Sequence, residues 1–595
     1  MRILNAIMTK VPLMVYGLTL DEDKEITYDN FTSLIDDASW NEFMPKDATK
    51  EKFKLFKKYI DTEMFELCNE ELRNQVNAAN KLSINERIKR LTPLFLKFRN
   101  PDKETVLTPW RVVNMHLGDC LGGYNFYNEN YSVVLDEPRF IDYGQVTNQV
   151  LKSKEAKILE INSKTGLYPL YVTYSLFRAR LNSPLENRTD RNIWKETVEK
   201  NIFVVCRTKM AEAITKRTLV GNDRNIKVNV MTIDNMIEDL RKKPDNVISK
   251  ILNKTEWNIQ EGGKMKFDAI VGNPPYQVMD GGNGSSSIPI YNVFVNLAIT
   301  LQPLYVSMIM PSRWFSGGKG LDDFRKMMIT NKNIRKLHDY MNASECFKNA
   351  SIEGGVCYFL FDKTNSGECE YVSHQSDGSV TVSKRYLQQN NKIDVLIRDE
   401  KQLKVLNKIL NTTQHYFSEL VFPRNPFGIN DIEEKYFTNE NAAKMKVLGR
   451  FNNKREVKFV GSNFTVNKHK ELLTQYKIFV SKADGAAGQI GNPIPAKILG
   501  KPEFGDINQF CTETFLVIGP FDNKEITINA MEYMQTKFFR FMVGLRKNKN
   551  MTQDTYSYVP IVNFSEKWND IKLYKYFNLD KEDIDYIEKM IKPME

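Results

Sequence analysis

The tetrapeptide Asn-Pro-Pro-Tyr at residues 273–276 ends an apolar run, FDAIV at 267–271, with a carboxamide, two prolines and an aromatic ring. Each proline fixes φ at about −65° and restricts the residue before it, so the turn is stiff and lacks two amide hydrogens. Backbone carbonyls and the Asn273 side-chain oxygen remain as acceptors, which suits the binding of an NH₂ group. Tyr276 adds a flat face on which a planar base can stack. The alternative is a purely structural turn with a capping asparagine and a core tyrosine.

A second group of polar residues follows an earlier apolar run, in KILEINSKTGLYPLY at 157–171. Glu160 and Asn162 stand at the predicted strand end, and Gly166 precedes a helical segment. A carboxylate at a strand end can hold a ribose or an amino group, and a glycine lets the backbone approach a ligand closely. An ordinary turn into a helix is the alternative interpretation.

Short, continuous apolar runs alternate with helix-length segments between about 157 and 361, a pattern typical of strands buried on both faces of a mostly parallel sheet. The pattern predicts a doubly wound α/β domain, whose ligands bind at the carboxyl ends of its strands. The predicted strands are KILEI (157–161), IFVVC (202–206), VNVMTI (228–233), FDAIV (267–271), LYVSMIM (304–310) and VCYFLF (356–361).

The regions on either side differ from this pattern. Residues 1–104 are charged and helical in character, with a capping box from Ser83 to Glu86 before an amphipathic segment. After Asp362 the chain becomes polar, and 366–595 mixes short strands with basic loops. We therefore predict a helical N-terminal region (1–104), an α/β domain (105–365) and a mixed α+β C-terminal domain (366–595).

Bulk composition excludes several classes of protein. The 595 residues carry 84 basic and 74 acidic side chains, a formal charge of +10 that mildly favours a polyanionic partner. Seven dispersed cysteines and five dispersed histidines predict neither a disulfide framework nor a metal site. Because no apolar run reaches the ~20 residues of a membrane span, we expect a cytoplasmic protein without a membrane partner.

Several segments resemble one enzyme family. VGNPPY at 271–276 resembles motif IV of the S-adenosylmethionine-dependent DNA adenine-N6 methyltransferases. The order of the parts resembles their gamma class, in which the cofactor motifs come first and a target-recognition domain last. VLTPWRVVNMHL (106–117), ILEINSKTGLY (158–168) and TYSYVPIVNF (555–564) are similar to segments of methylase modules in combined restriction-modification proteins.

The resemblance implies a Rossmann-like methyltransferase sheet and site-specific methyl transfer from S-adenosylmethionine to N6 of a flipped adenine in duplex DNA. It also implies a restriction-modification or phage-defence system, with a separate helicase or nuclease subunit or domain as a further partner. The catalytic positions are Asn273, Pro274, Pro275 and Tyr276, with Phe347 as a second aromatic against the base. The cofactor-binding positions are Thr108, Pro109, Glu160, Asn162, Gly166 and Asp234.

Two departures keep other functions open. Ile161 and Lys164 crowd the glycine motif, and Cys206 stands where the family's second strand ends in an acidic residue; Glu212 is a weak substitute. A catalytically weak or inactive DNA-recognition subunit derived from a methyltransferase is therefore one alternative. A protein glutamine methyltransferase is another, because a planar carboxamide NH₂ poses the same chemical problem.

Two basic clusters near the C-terminus are candidates for phosphate contacts, which position DNA without reading its sequence. A solvated surface is the alternative for both. The predicted DNA-binding residues are Lys454, Arg455, Lys458, Arg546, Lys547 and Lys549.

Overall fold

The computed structural model describes residues 2–18, 25–97, 107–182, 188–257, 259, 263–279, 287–318, 320–348, 352, 354–452, 454–483, 490, 493–547 and 550–594. The chain divides into two compact units, Met1–Leu387 and Gln388–Glu595. None of the helices that the structure describes is both long and apolar enough to cross a lipid bilayer.

The first unit is built on a nine-stranded sheet, which confirms the predicted α/β class and all six predicted strands. Its strands and those of two small hairpins are β1 (Gly123–Tyr127), β2 (Val134–Ile141), β3 (Ile158–Ser163), β4 (Ile202–Cys206), β5 (Asn229–Thr232), β6 (Ala269–Gly272), β7 (Gln277–Met279), β8 (Ser287–Pro289), β9 (Tyr305–Pro311), β10 (Ile334–Tyr340), β11 (Val356–Asp362), β12 (Cys369–His374) and β13 (Val380–Arg385).

The strand order of the sheet is β13-β12-β10-β11-β9-β6-β3-β4-β5. From β9 to β5 all neighbours are parallel, whereas β11 pairs antiparallel with both β9 and β10. The chain runs outward from β3 to β5 and then returns to place β6 on the other side of β3. The strand order therefore reverses between β3 and β6, and this switch point is where ligands of such sheets bind.

Helices cover this sheet and form the N-terminal region. They are α1 (Arg2–Leu18), α2 (Tyr28–Phe31), α3 (Asp37–Phe43), α4 (Lys50–Leu55), α5 (Thr62–Ala79), α6 (Ile84–Lys97), α7 (Trp110–Cys120), α8 (Gln145–Thr147), α9 (Leu167–Leu181), α10 (Asp190–Asn201), α11 (Lys209–Val220), α12 (Met236–Lys242), α13 (Pro244–Leu252), α14 (Tyr291–Thr300) and α15 (Asp322–Thr330). The capping box is present: Ser83 Oγ lies 2.8 Å from Glu86 Oε2, and the Glu86 amide donates to Ser83 Oγ at 3.4 Å.

One continuous apolar core joins the N-terminal helices to the sheet. Helix α1 packs so closely on α11 that a Cβ on Gly17 would lie 2.5 Å from Met210 Sδ. The first unit also extends past residue 365 to Leu387, because β12 and β13 add to the edge of the sheet.

Within its described residues the second unit combines two three-stranded sheets, ordered β15-β14-β18 and β17-β16-β19, with five α-helices, in agreement with the predicted mixed α+β class. Its strands are β14 (Met445–Phe451), β15 (Lys454–Val460), β16 (Tyr476–Ser481), β17 (Glu503–Gly505), β18 (Gln509–Cys511) and β19 (Phe515–Phe521). Its helices are α16 (Glu400–Leu410), α17 (Lys524–Gln535), α18 (Lys537–Gly544), α19 (Asp570–Tyr576) and α20 (Lys581–Met590).

Candidate active site

The two polar segments singled out in the sequence meet at the switch point of the sheet. The Asn162 side chain, at the end of β3, donates from Nδ2 to the backbone oxygen of Asn273 at 2.9 Å. Gly272 makes this approach possible: its φ is 154°, and a Cβ there would lie 2.8 Å from the Ile161 carbonyl oxygen. One side-chain hydrogen bond thus joins the ends of β3 and β6, and Gly272 lets their backbones approach closely.

The Asn273 side chain makes a hydrogen bond through its nitrogen and none through its oxygen among the described residues. Nδ2 donates to Thr108 Oγ1 at 2.9 Å, while Oδ1 is buried and has no hydrogen-bond partner among the described residues. The residue as a whole is partly exposed. An unpaired buried acceptor costs about 1–3 kcal/mol, so a donor supplied by a ligand would remove a real penalty.

The two aromatic residues predicted to flank a base lie together. The rings of Tyr276 and Phe347 are 6.2 Å apart and cross at 83°, edge to face. Phe347 is fully buried, and the Tyr276 hydroxyl is buried without a partner among the described residues. Burial raises the pKa of Tyr276 well above its usual value, and the neighbouring Asn273 amide partly opposes this. Tyr276 is therefore a neutral, flat and largely apolar wall.

Glu160 is a buried carboxyl group, and no cation among the described residues offsets the effect of burial on its pKa. Its Oε2 has no partner among the described residues, and burial raises the pKa of Glu160 to about 8, with Ser163 opposing the shift. Asn162 Oδ1, two residues on, is buried and unpaired in the same way, and its backbone is left-handed at φ 69°. Glu160 Oε2 and Asn162 Oδ1 can therefore accept hydrogen bonds from a ligand, and a cationic donor suits Glu160 best.

The other predicted cofactor positions lie at the ends of helices and strands of the first unit. Gly166, at φ 70°, begins α9, and a Cβ there would lie 2.9 Å from Thr215 Cα in α11. Pro109 is the N-cap residue of α7. Asp234 follows β5 and is exposed.

A carboxylate that sequence reasoning missed reaches the end of the second strand. Burial raises the pKa of Cys206 well above its usual value, so the thiol there is neutral. Glu42, from α3, accepts from Arg207 Nε at 3.1 Å and from Thr208 Oγ1 at 2.6 Å. Glu212 is partly buried and accepts from Thr232 Oγ1 at 2.6 Å. Acidic groups are thus present near this strand end, although Cys206 is not one of them.

The first predicted basic cluster lies on β15, where alternation separates its members. Lys454 and Lys458 share one face of the strand, and Arg455 points to the other. Lys458 Nζ lies 4.6 Å from the ring centre of Phe437, and the Arg455 guanidinium lies 5.1 Å from that of Phe515.

The second predicted cluster faces the interior of its unit. Arg546 pairs with Asp394 and lies 5.5 Å from the ring centre of Tyr558, and Lys547 is fully buried. Lys549 lies outside the described residues. In this structure Arg546 and Lys547 therefore contribute to packing and do not present their charges to solvent.

A cavity of about 540 Å³ in the second unit has four cations and no carboxylate among its described lining residues. Two of these cations are paired with carboxylates beside the cavity, Arg424 with Glu513 at 3.0 Å and Arg455 with Glu503. It opens beside the Arg450–Arg455 cross-strand pair of β14 and β15. Its lining is Arg424, Arg450, Arg455, Ser481, Lys482, Ala483, Thr514, Phe515, Leu516, Asn550, Met551 and Thr552. Elsewhere, the described His, Cys, Asp and Glu side chains form no group of three that could hold a metal ion.

One segment of the chain matches a known protein family. Residues 200–347, which include the 273–276 turn and Phe347, match the model of the Eco57I restriction-modification methylase family. An uncharacterized adenine-specific methylase of Mycoplasma pneumoniae (strain ATCC 29342 / M129 / Subtype 1) is 37% identical over 111 residues, 18% of this chain and 26% of that protein. The match thus spans about a quarter of the relative's length.

Three solved structures align with this chain at low sequence identity, and two of them are of restriction-modification enzymes. The DrdV–DNA complex aligns with 95% of this chain and 65% of its own, at 12% identity and a TM-score of 0.42. A nuclease-deletion mutant of the Type ISP enzyme LlaGI with a DNA substrate mimic aligns with 93% and 60%, at 11% identity and a TM-score of 0.42. The Type IIL enzyme MmeI in complex with DNA aligns with 67% and 61%, at 9% identity and a TM-score of 0.38.

Proposed function

We propose that this chain is a site-specific DNA methyltransferase that transfers a methyl group from S-adenosylmethionine to N6 of adenine, within a restriction-modification system. The observation that carries the proposal is the buried, unpaired Oδ1 of Asn273 at the switch point of the sheet. The matched methylase family and the adenine-specific relative support the same chemistry.

The residues of the turn act on the amino group of the substrate. An adenine NH₂ delocalises its lone pair into the ring and is a poor nucleophile. Asn273 Oδ1 and the Pro274 carbonyl accept its two hydrogens, which favours a pyramidal nitrogen with its lone pair free. No covalent intermediate with the protein is needed, because positioning and stabilisation of developing charge supply the rate.

Glu160 and Asn162 fit the methyl donor, because each offers a buried oxygen that has no partner in the described part of the chain. S-adenosylmethionine, when bound, supplies the electrophilic methyl group. The ammonium and hydroxyl groups of such a ligand are donors for these oxygens. Thr108, Pro109, Gly166 and Asp234 complete the proposed cofactor region.

The direct test is modification of DNA by the purified protein. We expect methyl transfer from radiolabelled S-adenosylmethionine to duplex DNA but not to a glutamine-containing peptide. Single-molecule sequencing of DNA from cells that express the protein should show N6-methyladenine at one recognition sequence. Methylation of the peptide alone would favour a protein glutamine methyltransferase.

Cys206 is neutral and stands where the related enzymes have an acidic residue at the end of the second strand. This favours a second candidate function, a DNA-recognition subunit that no longer binds the cofactor. Titration calorimetry separates the two candidates. Heat of binding with S-adenosylmethionine supports the enzyme, whereas intact DNA affinity without cofactor binding supports the recognition subunit.

Tyr276 should contribute through its ring and not through its hydroxyl. Base flipping costs a few kcal/mol, and stacking on an aromatic face returns ~1–3 kcal/mol. Because the hydroxyl has no partner among the described residues, we expect Tyr276→Phe to keep the methylation rate within about threefold. Tyr276→Ala should lower it by about 10- to 100-fold. Single-turnover methylation measures both, and equal losses in the two variants would contradict the stacking role.

The cations of β15 and of the adjoining cavity should bind DNA phosphates. We expect simultaneous replacement of Lys454, Arg455 and Lys458 by Gln to weaken binding of all duplex sequences alike. The slope of log Kd against log salt should fall by up to about 0.9 per lost contact.

A matched control for this experiment removes the same charge elsewhere in the second unit. Lys567, Lys575 and Lys589 are exposed and lie away from β15 in the sequence, so their joint replacement by Gln should leave the slope unchanged. Equal effects of the two triple variants would show that net charge alone is responsible.

A further inference from the structure

Helix α11 holds the proposed cofactor loop, residues 163–166, by two side-chain contacts. The Thr218 hydroxyl donates to the Thr165 carbonyl at 2.8 Å, and Thr215 Oγ1 lies 3.0 Å from Ser163 Oγ. All four residues are buried, so water does not compete for these bonds. The conformation of the cofactor loop therefore depends on the position of α11.

Side chains of the N-terminal helix α3 bind the start of α11. Thr208 is the N-cap residue of α11, and its hydroxyl donates to Glu42 Oε2 at 2.6 Å. The Met210 amide, in the first turn, donates to Ser39 Oγ at 3.1 Å. The first amides of a helix have no partner within it, and an acidic residue suits this end of the helix dipole. Helix α3 thus supplies what α11 lacks at its N-terminus.

An arginine of the N-terminal helix α6 binds the other end of α11. The Arg87 guanidinium donates to three consecutive carbonyls of the last turn, those of Arg217 (2.7 Å), Thr218 (3.1 Å) and Leu219 (3.4 Å). Its Nε donates to Asn80 Oδ1 at 3.1 Å, which fixes the side chain. The last carbonyls of a helix have no partner within it, and a guanidinium offers five N–H donors. Arg87 thus completes the C-terminus of α11.

Helix α1 covers the middle of α11. Tyr16 is fully buried, and its hydroxyl lies 3.5 Å from Thr218 Oγ1. A Cβ on Gly17, next along the chain, would lie 2.8 Å from Ile214 Cγ1. Because protein interiors pack densely, a helix bound at both ends and covered in the middle cannot shift without losing contacts. The N-terminal helices therefore fix α11, and α11 in turn fixes the cofactor loop.

We propose that the N-terminal helices support cofactor binding, with Arg87, Thr215 and Thr218 as positioning residues for the cofactor loop. The proposal rests on the methyltransferase function proposed above and gives the N-terminal helices a role in it. Loss of one of these bonds lets other loop conformations compete. The apparent affinity for S-adenosylmethionine then falls by the fraction of protein that keeps the binding conformation. Cofactor binding, and not the chemistry at Asn273, is the step that responds.

Variants of Thr218 separate these two steps. Thr218→Val keeps the shape but leaves the buried Thr165 carbonyl without its donor, so we expect the dissociation constant for S-adenosylmethionine to rise about 10-fold. The single-turnover rate at saturating cofactor and DNA should stay within about twofold, because the turn at 273–276 is unchanged. Thr218→Ser keeps the donor and should bind the cofactor within about threefold of the native affinity.

Variants of the N-terminal helices test the longer link. Arg87→Met keeps the apolar stem but removes every donor to α11, and we expect the dissociation constant to rise at least about fivefold. Ser39→Ala is a milder change at the other end of α11, for use if Arg87→Met does not fold, and should raise it about two- to threefold.

Thr92→Val is the matched control, because Thr92 is buried in α6 and its hydroxyl donates to the Ile88 carbonyl of the same helix at 2.9 Å. Its cofactor affinity should stay within about twofold of the native value. Equal losses in the Val and Ser variants of Thr218, or in Thr92→Val, would indicate packing and overturn the proposal. Native affinity in folded Arg87→Met, or in Ser39→Ala where that variant is used, would also overturn it.

Hydrogen exchange tests the cofactor loop without cofactor or activity. The Gly166 amide donates to Ser163 Oγ at 3.3 Å, so its exchange reports opening of the loop. Peptides that cover 163–168 should exchange about 10-fold faster in Thr218→Val and in Arg87→Met than in the native protein. Thr218→Ser and Thr92→Val should exchange at the native rate.

The exchange results distinguish failure of this proposal from failure of the proposed function. Unchanged exchange in Thr218→Val overturns the proposal even if the protein methylates DNA. Faster exchange with unchanged cofactor affinity overturns it as well. The expected exchange pattern in a protein that binds no S-adenosylmethionine would refute the proposed function and leave the support of the loop by α11 intact.

Discussion

Replacement of Asn273 by Ala should reduce methylation of DNA by about 10³-fold or to below detection, with DNA affinity within a few fold of the native value. The side chain provides the only proposed side-chain acceptor for the substrate amine, and removal of one such preorganised group typically costs 10²- to 10³-fold in rate. Nδ2 and Oδ1 are lost together, so Thr108 also loses its donor. Single-turnover methylation and a DNA-binding titration measure the two quantities.

The specificity of this effect can be checked with a neighbouring amide. Gln277 follows the turn directly and is exposed, and Gln277→Ala should leave the methylation rate within about twofold. If Asn273→Ala retained most of its activity, the turn would be structural and the methyl-transfer site would lie elsewhere.

The sequence predicts those elements whose residue types are set by their own place in the fold, such as buried strands and stiff turns. Strands β3, β4, β6 and β9 are buried on both faces, so each appears as an uninterrupted apolar run. The prolines after β6 and Gly166 before α9 are dictated by backbone geometry at those points. Because both segments end strands, their meeting at the switch point was predictable in outline.

Features that depend on long-range packing were not predictable in this way. Glu42 meets Arg207 across 165 positions of sequence, and no spacing or motif links them. The His116–Tyr168 bond spans 52 positions and joins two helices. Lys547 was expected at a phosphate but is fully buried, since composition does not tell which face of a basic segment turns inward.

Glu160→Gln should stabilise the cofactor-free protein and weaken its binding of the cofactor. These opposite effects make it the most informative substitution after Asn273→Ala. In the free protein the pKa of Glu160 is about 8 instead of 4.5, so the folded state holds a proton that the unfolded state releases. Stability therefore falls as pH rises from about 4.5 to 8, and the penalty reaches about 3 kcal/mol at pH 7. Gln removes this penalty.

We therefore expect Glu160→Gln to unfold at a higher temperature than the native protein at pH 8, with the difference vanishing near pH 4.5, where both side chains are neutral. Thermal unfolding of the cofactor-free protein across this pH range measures the effect. Glu129 is exposed, and Glu129→Gln should show no such pH-dependent difference. A destabilised Glu160→Gln variant would mean that the native carboxyl has a partner that the fold requires.

Cofactor binding should instead favour ionised Glu160, because a hydrogen-bond donor of the cofactor beside Glu160 Oε2 stabilises the carboxylate form. Below pH 8 the native protein must release a proton to bind, so affinity should rise by up to about tenfold per pH unit towards pH 8 and then level off. Glu160→Gln should bind S-adenosylmethionine about 100-fold more weakly and without this pH dependence, as a neutral amide replaces a charge-assisted acceptor. Calorimetry in buffers of different ionisation enthalpy would count the released proton. Binding that is independent of pH in the native protein would place the cofactor away from Glu160 and leave the buried carboxyl without a function in this site.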